Sequence, residues 1–595
     1  MSRVLEGLGA SPGRALGTAW RLDWDIPPVP HRTIGADEVD AESSRFEAAR
    51  LEALERVESL RRETAERFGR FEGKVFESQA CMIEDPELVE GTLAYIRANH
   101  VGAERAFELQ ILEHRVRMLD SGHAMVIDRL ADLHDVRVRV LARLQDRPDP
   151  ALDLAPPETP SILVVRELAP SLAVRLDPET TVGIVMGSGS RGSHSVLLAR
   201  SLGIPVVVGV GARLGEIPAG ERLLIDGRAG HLVIGPAEEE VEAFRRAVAQ
   251  AERRREMLNR LAGRPTETVD GVHTVVQANL DQPVEAEEAI RLGADGVGLL
   301  RSEFLVIGRR EVPGEEEQRE AYEAVLRAFP GQEVTLRTFD VGGDKFPLFL
   351  AMEPEENPFL GWRAIRVCLD RPDLFRAQLR AALRAARAVP DPCLRLLLPL
   401  VISAAEIRRT RDLLATIRQE VEPRDEGHRL PLGIMVETPA AVETIDLLAP
   451  WVDFVSLGTN DLTQYTLAAD RGNARLAGLY DSLHPALIRM YARLARDCAR
   501  HELDLSVCGE LAADPVGVAI LLGLGYRKFS VSPASLAEIR ELLRHLSVEE
   551  MERVCAGHAR WESAFDARSA VERHFEATAA LSIGNGFPDA RNGAS

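Results

Sequence analysis

The stretch LGIMVETPA, residues 432–440, begins with an apolar run that is followed by the carboxylate of Glu437. VDFVSLGTNDL at 452–462 likewise carries a carboxylate, Asp461, near its end. Similar short apolar runs recur on both sides of this pair, and helical periodicity fills the segments between them. Eight strand–helix units of this size predict a (β/α)8 barrel of the TIM type. The eight candidate strands are 273–280, 296–304, 333–343, 394–403, 432–440, 452–462, 504–511 and 528–535.

Polar side chains collect where these runs end. Active sites of such barrels lie at the carboxyl ends of the strands, so we expect the side chains to converge there. Arginine suits phosphate and carboxylate oxygens, and two neighbouring carboxylates could share Mg²⁺. A salt bridge within the rim is the alternative role for each arginine. The strand-end residues are Asn279, Arg301, Arg337, Glu437, Asn460, Asp461 and Cys508.

Two further features add positive charge and anion affinity to this edge of the barrel. Arg471 and Lys345 lie in predicted loops, and DVGGDK at 340–345 has the composition of a glycine-rich anion loop. The set predicts a small anionic substrate that carries phosphate and carboxylate groups and is bound together with Mg²⁺. The thiol of Cys508 is either a buried structural group or a proton donor to a developing carbanion.

The chain before the barrel divides into a small α/β domain and a helical block. Strand-like runs of the α/β domain lie within 148–233, and the glycine-rich residues 1–25 are expected to join the same sheet. Residues 37–147 then form an all-α insertion. Its first helix is predicted from apolar or small residues three and four positions apart, namely Phe46, Ala49, Ala53, Val57, Leu60 and Thr64.

The remaining boundaries follow from composition. A charged helix at 234–263 connects this part of the chain to the barrel, which is predicted to occupy 264–575. Residues 576–595, rich in glycine, asparagine and alanine, are predicted to be a disordered tail.

One histidine has an unusual setting. His194 stands in GSGSRGSHSVLLAR, residues 187–200, between a strand-like run and a helical run. Gly187, Gly189 and Gly192 let backbone amides approach an anion, and a helix N-terminus adds partial positive charge. Imidazole is also a competent nucleophile near neutral pH. A phosphate carried on or beside His194 is one interpretation, and a capping or core histidine is the other.

Composition limits the class of partner. The net charge of −21 argues against nucleic acid or an anionic membrane as the main partner. The six cysteines are scattered without CxxC spacing, as expected for reduced thiols rather than a disulfide framework or a zinc site. With no signal-like N-terminus and no long apolar stretch, the protein is expected to be cytoplasmic and not inserted in a membrane.

The barrel motifs together resemble a known family. They are similar to those of enzyme I of the bacterial phosphotransferase system, which transfers the phosphoryl group of phosphoenolpyruvate to a protein. The helical block, with FESQACMIEDPEL and LADLHDVRVRVL, is similar to the carrier-binding insertion of that family. The barrel motifs are DGVGLLRSEF (295–304), LRTFDVGGDK (336–345), EENPFLGWRAIR (355–366), MVETPAA (435–441), SLGTNDLTQYTLAADRGN (456–473) and CGELAAD (508–514).

The resemblance implies a role for each candidate residue. His194 is the expected phosphorylated histidine, in a swivelling α/β domain, and Cys508 the expected proton donor. A homodimer through the barrel and transfer to a histidine of an HPr-like phosphocarrier protein, the first step of the phosphotransferase system, are also implied. Phosphoenolpyruvate is expected to contact Arg301, Arg337, Asn460, Asp461 and Arg471, and Mg²⁺ to bind Glu437 and Asp461.

The segment around the histidine departs from the family pattern. Ser190 replaces a glycine, Gly192 replaces a threonine, and LAPSLA at 168–173 stands where the family often has a threonine. A lost hydroxyl affects how the imidazole is oriented.

Two rival functions are compatible with parts of the chain. Enzymes of the pyruvate phosphate dikinase or phosphoenolpyruvate synthase type share the histidine domain and the barrel. They also need a large ATP-binding domain, and nothing before residue 160 is large or glycine-rich enough to form one. A non-catalytic signalling adaptor would show degraded barrel motifs, whereas the motifs here are intact.

Overall fold

The structure is a computed structural model of the chain. It describes residues 2–11, 13–22, 29–68, 75–120, 130–147, 157, 159–189, 194–306, 311–342, 350, 355–391, 393–421, 430–471, 476 and 478–578. The chain divides into two compact units, residues 1–250 and 251–595.

The first unit contains an eight-stranded sheet in the order β1-β8-β7-β3-β4-β5-β6-β2. β3 pairs in parallel with β4, so that Thr18 lies opposite Ser161 and Leu22 opposite Val165. The N-terminal strands therefore belong to the α/β domain, and the helical block is an insertion, as predicted. The strands are β1 (Arg3–Glu6), β2 (Leu8–Ser11), β3 (Arg14–Leu22), β4 (Ser161–Val165), β5 (Thr181–Met186), β6 (Val206–Val208), β7 (Arg222–Asp226) and β8 (His231–Ile234).

The insertion consists of helices packed on one apolar core. The predicted apolar face of its first helix is buried, with Ala53 and Val57 fully inaccessible and Phe46 packed on Phe107. Pro86 begins a helix, where the missing N–H costs no hydrogen bond. The helices are Val39–Phe68, Val75–Ile83, Pro86–Asn99, Ala103–Asp120 and Leu130–Leu144.

Four further helical segments complete the described part of the first unit, and the last of them is the predicted connecting helix. It is shorter than the predicted range 234–263, and the boundary between the two units falls within it. The segments are Pro170–Ala173, His194–Ser201, the 3-10 turn Gly211–Glu216 and Glu238–Arg260.

The second unit is the predicted barrel. Eight parallel strands form a closed sheet, and pairing of β16 with β9 completes it. Each strand falls inside its predicted run and is shorter than that run. After β10 and β13 the polar residues that follow the apolar part, beginning with Arg301 and Glu437, lie outside the ladder. The strands are β9 (Val275–Leu280), β10 (Val297–Leu300), β11 (Val334–Arg337), β12 (Leu394–Leu398), β13 (Leu432–Val436), β14 (Phe454–Leu457), β15 (Asp504–Val507) and β16 (Lys528–Val531).

Helices follow the strands around the barrel. The predicted tail begins later than residue 576, because the last helix continues to Thr578. Residues 579–595 lie outside the described residues. The α-helices are Ala286–Arg291, Glu315–Ala328, Ile365–Asp370, Pro372–Ala388, Ala404–Val421, Pro439–Glu443, Ile445–Leu448, Thr459–Leu467, Pro485–Arg500, Pro515–Gly523, Pro533–His545, Val548–Cys555 and Ala564–Thr578.

The two ends of the barrel differ in chemistry. At the amino end of the strands, Arg395 lies 3.7 Å from the centroid of the Phe454 ring and pairs with Glu333 and Asp504 at 2.8 and 2.9 Å. Lys528 pairs with the same two carboxylates at 3.2 and 2.9 Å, so the positive and negative charges of this group balance. The opposite end carries the candidate site residues. Within the described parts of the chain, no helix is both long and apolar enough to cross a membrane.

Candidate active site

The carboxyl ends of the barrel strands place most of the predicted side chains. Arg337 is the last residue of β11, and Arg301, Glu437 and Cys508 directly follow β10, β13 and β15. Asn460 and Asp461 lie beyond the end of β14, in the first turn of the helix Thr459–Leu467, so the prediction that they sit on a strand was wrong. The helix starts immediately after Gly458 and turns the chain back over the rim.

Arg337 is buried between two carboxylates. Its Nη2 is 3.0 Å from Oε2 of Glu303, and its Nη1 is 3.2 Å from Oδ2 of Asp340. Burial lowers the pKa of Arg337, but Glu303, Asp340 and Glu437 together outweigh it and raise the pKa. The guanidinium is therefore charged, and its Nε has no hydrogen-bond partner among the described residues.

Arg363 is a member of this cluster that the sequence reasoning missed. Its Nη2 is 3.0 Å from Oδ1 of Asp340 and 3.6 Å from Oδ2 of Asp461, and its Nη1 donates to Tyr465 Oη. Only 2% of Arg363 is exposed. Arg363 lies in the motif EENPFLGWRAIR, which supports the family resemblance but does not by itself indicate a role for the arginine.

Glu437 is buried on the same rim. Its Oε1 accepts a hydrogen bond of 2.7 Å from the backbone amide of Leu400. Burial, with the negative charges of Asp461 and Asp340, raises the pKa of Glu437 to about 8. Such a carboxylate gains more than an ordinary one from a cation placed beside it.

Asp461 and Glu437 fit a divalent cation. Oδ1 of Asp461 is buried and has no hydrogen-bond partner among the described residues, and Nη1 of Arg471 lies 3.7 Å from it. The described part of the chain holds no cluster of three or more His, Cys, Asp or Glu side chains able to bind a metal. Two carboxylates with remaining positions for water and substrate phosphate suit Mg²⁺.

Three candidate residues are more accessible. Arg471 lies over the ring of Phe359, with its guanidinium carbon 5.7 Å from the centroid, and Arg301 pairs with the exposed Asp281. Oδ1 of Asn460 accepts from the amide of Glu510 at 2.9 Å. These side chains therefore stand at the solvent side of the buried cluster.

The thiol of Cys508 lies at the inner end of the site. It accepts a hydrogen bond from Ser456 Oγ at 3.2 Å and packs with Leu299 and Met435 in the barrel interior. Burial raises the pKa of Cys508 to about 11, so the group is a protonated thiol at neutral pH.

Two other sequence candidates have different outcomes. Asn279 is structural, because its Nδ2 donates to the carbonyl oxygens of Cys508 and Ser530 and so ties three strands together. In DVGGDK, Asp340 joins the buried arginines, whereas residues 343–345, including Lys345, lie outside the described residues.

His194 belongs to the other unit. It is the first residue of the helix His194–Ser201, as the sequence predicts, and Ser195 Oγ donates to the carbonyl oxygen of Leu168. The side chain of His194 and residues 190–193 lie outside the described residues.

Comparison with known proteins first defines a class. Residues 255–548 match the PEP-binding domain of PEP-utilising enzymes, residues 6–129 their N-terminal domain and residues 157–230 their mobile domain. The barrel therefore corresponds to the PEP-binding domain of PEP-utilising enzymes.

Full-length relatives narrow the class to one family. The phosphoenolpyruvate-protein phosphotransferase of Geobacillus stearothermophilus is 36% identical over 557 residues, which cover 93% of this chain and 95% of that protein. Its counterpart in Haemophilus influenzae is 36% identical, with 92% and 95% covered, and that in Haloferax volcanii is 38% identical, with 90% and 93% covered. This chain belongs to the phosphoenolpyruvate-protein phosphotransferase family, as the sequence motifs predict.

Proposed function

We propose that this protein transfers the phosphoryl group of phosphoenolpyruvate to its own His194 and then to a histidine of an HPr-like phosphocarrier protein. The buried cluster at the carboxyl ends of the barrel strands is the main support. It combines charged arginines with Asp461, whose Oδ1 lacks a hydrogen-bond partner among the described residues. Such a cluster is costly unless a ligand completes it.

Phosphoenolpyruvate carries the charges that this cluster accepts. In the proposal, Arg301, Arg337 and Arg471 hold its phosphate and carboxylate oxygens, since a guanidinium offers two parallel donors to such groups. Asn460 and Asp461 line the same place. The buried position of Arg337, 5% exposed, favours a strong interaction because water screens it little.

Glu437 and Asp461 would hold Mg²⁺ beside the substrate phosphate. When bound, the ion neutralises charge on the transferring group and orients it. The neighbouring arginines also neutralise charge on the phosphate. Two carboxylates suffice as protein ligands, because Mg²⁺ keeps several waters and binds substrate phosphate.

In the transfer, an imidazole nitrogen of His194 forms a bond to phosphorus while the bond between phosphorus and the enol oxygen breaks. The electron pair of the broken bond stays on that oxygen, which leaves the enolate of pyruvate. Cys508 gives its thiol proton to carbon 3 of the enolate, and solvent returns a proton to the thiolate. The raised pKa of Cys508 supports this role, because the thiol holds its proton until a strong base forms beside it.

The partner assignments follow the family. The helical insertion at 37–147 is the proposed docking site for the carrier protein, and the barrel is the proposed homodimer interface. We also place the protein in the cytoplasm, where phosphoenolpyruvate is available.

Replacing His194 tests the proposal. His194→Ala should take up no phosphoryl group from phosphoenolpyruvate with Mg²⁺, while its affinity for phosphoenolpyruvate stays within about twofold of the unchanged protein, because the binding residues lie in the barrel unit. His231→Ala, an exposed histidine of the same domain, is the matched control and should react normally. Phosphoryl uptake by His194→Ala at the normal rate would refute the assignment.

A further inference from the structure

Gln378 reaches the active-site rim from outside the barrel. It lies on the helix Pro372–Ala388, on a face otherwise made of apolar residues such as Leu374 and Leu379. The side chain is fully buried, although an amide there loses its hydration and needs partners. Such a residue on an apolar face points to a specific hydrogen-bonding task.

All three polar functions of the Gln378 amide group are engaged. Its Oε1 accepts from the backbone amide of Phe339 at 3.1 Å. Its Nε2 donates to Ser302 Oγ at 3.1 Å and to Tyr322 Oη at 3.2 Å. Only a side chain with one acceptor and two donors satisfies this arrangement. Glutamate at this position keeps the acceptor but loses both donors. Leucine keeps a similar side-chain volume but has no hydrogen-bonding group.

The hydrogen bonds of Gln378 reach the backbone of Arg337 through Ser302. Ser302 Oγ, which receives one donor of Gln378, itself donates to the carbonyl oxygen of Arg337 at 2.8 Å. Gln378 also holds the amide of Phe339, two residues further on. The backbone on both sides of Thr338 is thus fixed by one side chain, directly at Phe339 and through Ser302 at Arg337.

Other contacts fix the same segment from inside the rim. The amide of Thr338 donates to the carbonyl oxygen of Leu397, and the amide of Asp340 donates to Oε1 of Glu303. The amide of Phe339 lies between these two amides in sequence, and it is the one bonded to a side chain of the outer helix, Gln378. Without Gln378 it is a buried donor with no acceptor, so the segment must shift to find one.

We propose that Gln378 is a positioning residue that sets the direction of the Arg337 guanidinium for phosphoenolpyruvate. This inference rests on the proposed role of Arg337 in substrate binding. The guanidinium has two carboxylate neighbours, Glu303 and Asp340, and a small backbone shift changes how much of it faces the substrate. A displacement of about 1 Å at such a group is enough to lower activity by one or two orders of magnitude.

The test compares Gln378→Leu, Gln378→Glu and Ser302→Ala in the full chain, using phosphoenolpyruvate-dependent phosphorylation of the protein. Each variant should raise the KM for phosphoenolpyruvate by about tenfold, with a smaller fall in kcat, because a misdirected Arg337 weakens substrate binding first. Ser302→Ala and Gln378→Leu act on the same segment, so the double variant should be little worse than the more severe single one.

Tyr322→Phe is the matched control. It removes one hydrogen bond from Gln378 Nε2 and the bond from Tyr322 Oη to Gln318, but it touches neither Ser302 nor Phe339. It should lower the melting temperature about as much as Ser302→Ala and leave the KM within about twofold of normal.

Two results would overturn the inference. One is a normal KM for phosphoenolpyruvate in both Gln378→Glu and Ser302→Ala. These two variants test the inference even if Gln378→Leu does not fold. The other is a KM increase in Tyr322→Phe equal to that of the other variants, which would indicate general loosening. Arg337→Ala distinguishes failure of the proposed function from failure of this inference. Unchanged affinity for phosphoenolpyruvate in Arg337→Ala refutes the proposed role of Arg337 itself. Lost affinity in Arg337→Ala, together with a normal KM in the Gln378 variants, refutes only the positioning role of Gln378.

Discussion

Two buried polar networks in this protein differ in how their aspartate oxygens are bonded. One is the barrel rim, where Arg337, Arg363, Glu437 and Asp461 face one another. The other joins the helical insertion to the α/β domain. There, Asp135 Oδ1 accepts from Ser171 Oγ at 2.8 Å, and its Oδ2 accepts from Gln79 Nε2 at 2.9 Å.

Both carboxylate oxygens of Asp135 accept hydrogen bonds from protein donors. Asp135 is 2% exposed, Gln79 and Ser171 are fully buried, and Arg139 lies 3.7 Å away as a countercharge. Ser171 belongs to the helix Pro170–Ala173, adjacent in sequence to Leu168, which receives the hydrogen bond of Ser195. These contacts explain how the insertion is held against the domain that carries His194.

The barrel rim, by contrast, leaves buried hydrogen-bonding atoms without a partner among the described residues, including Nε of Arg337 and Oδ1 of Asp461. Buried polar atoms are nearly always bonded, so a group of exceptions indicates a ligand site. A buried carboxylate with both oxygens bonded, such as Asp135, stabilises the fold, whereas one with an oxygen left for a ligand, such as Asp461, is available for chemistry. The comparison predicts that substitutions in the rim act on rate and those around Asp135 act on stability.

The largest effect is expected in the rim. Glu437→Gln and Asp461→Asn should each slow phosphorylation of the protein by phosphoenolpyruvate by about 10²–10³-fold, because each removes a charge that would hold Mg²⁺. Initial rates measured over a range of Mg²⁺ concentrations check this. Asp373→Asn, an exposed carboxylate on an outer helix, is the matched control and should react normally. A normal rate in both rim variants, or in chelator, would contradict the metal assignment.

A smaller effect, on stability alone, is expected at the other network. Asp135→Asn removes a buried charge that accepts hydrogen bonds from Ser171 and Gln79 and faces Arg139, so it should cost about 3 kcal/mol of local stability. Hydrogen exchange should then accelerate in the segments 75–83 and 170–173 and stay unchanged in the barrel strands. Ser78→Ala, which removes a less buried hydrogen bond to Asp132 between the same two helices, should cost about 1 kcal/mol. Equal losses of local stability in Asp135→Asn and Ser78→Ala would contradict the prediction that Asp135 contributes more than an ordinary hydrogen bond.

The barrel strands were predictable because each lies in a short, mainly apolar run, and several of these runs change to polar residues where the strand ends. Arg301, Arg337, Glu437 and Cys508 were found for the same reason, since a change from apolar to polar marks both the end of the ladder and the edge where the site lies. The buried apolar face of the helix Val39–Phe68 was equally visible as a repeat of three and four residues.

Residues that act through long-range contacts were not visible in this way. Arg363 meets Asp461 only because the fold brings together residues 98 positions apart, and nothing in its local sequence marks a strand end. Asp461 was placed on a strand because the run VDFVSLGTNDL continues past the end of β14 without a break. Gln378 did leave a signal, a single amide on an apolar helix face, but its partners could not be inferred before the fold was known.

The most direct test of the account is to map the phosphorylated residue. The full chain is incubated with phosphoenolpyruvate labelled in its phosphoryl group and with Mg²⁺, then cleaved, and the labelled peptide is sequenced by mass spectrometry. The account predicts that the label is confined to the peptide that contains His194, and that it is absent when Arg337→Ala replaces the unchanged protein. Label on any other residue, or label on His194 that persists in Arg337→Ala, would contradict the claim that the barrel rim delivers the phosphoryl group to His194.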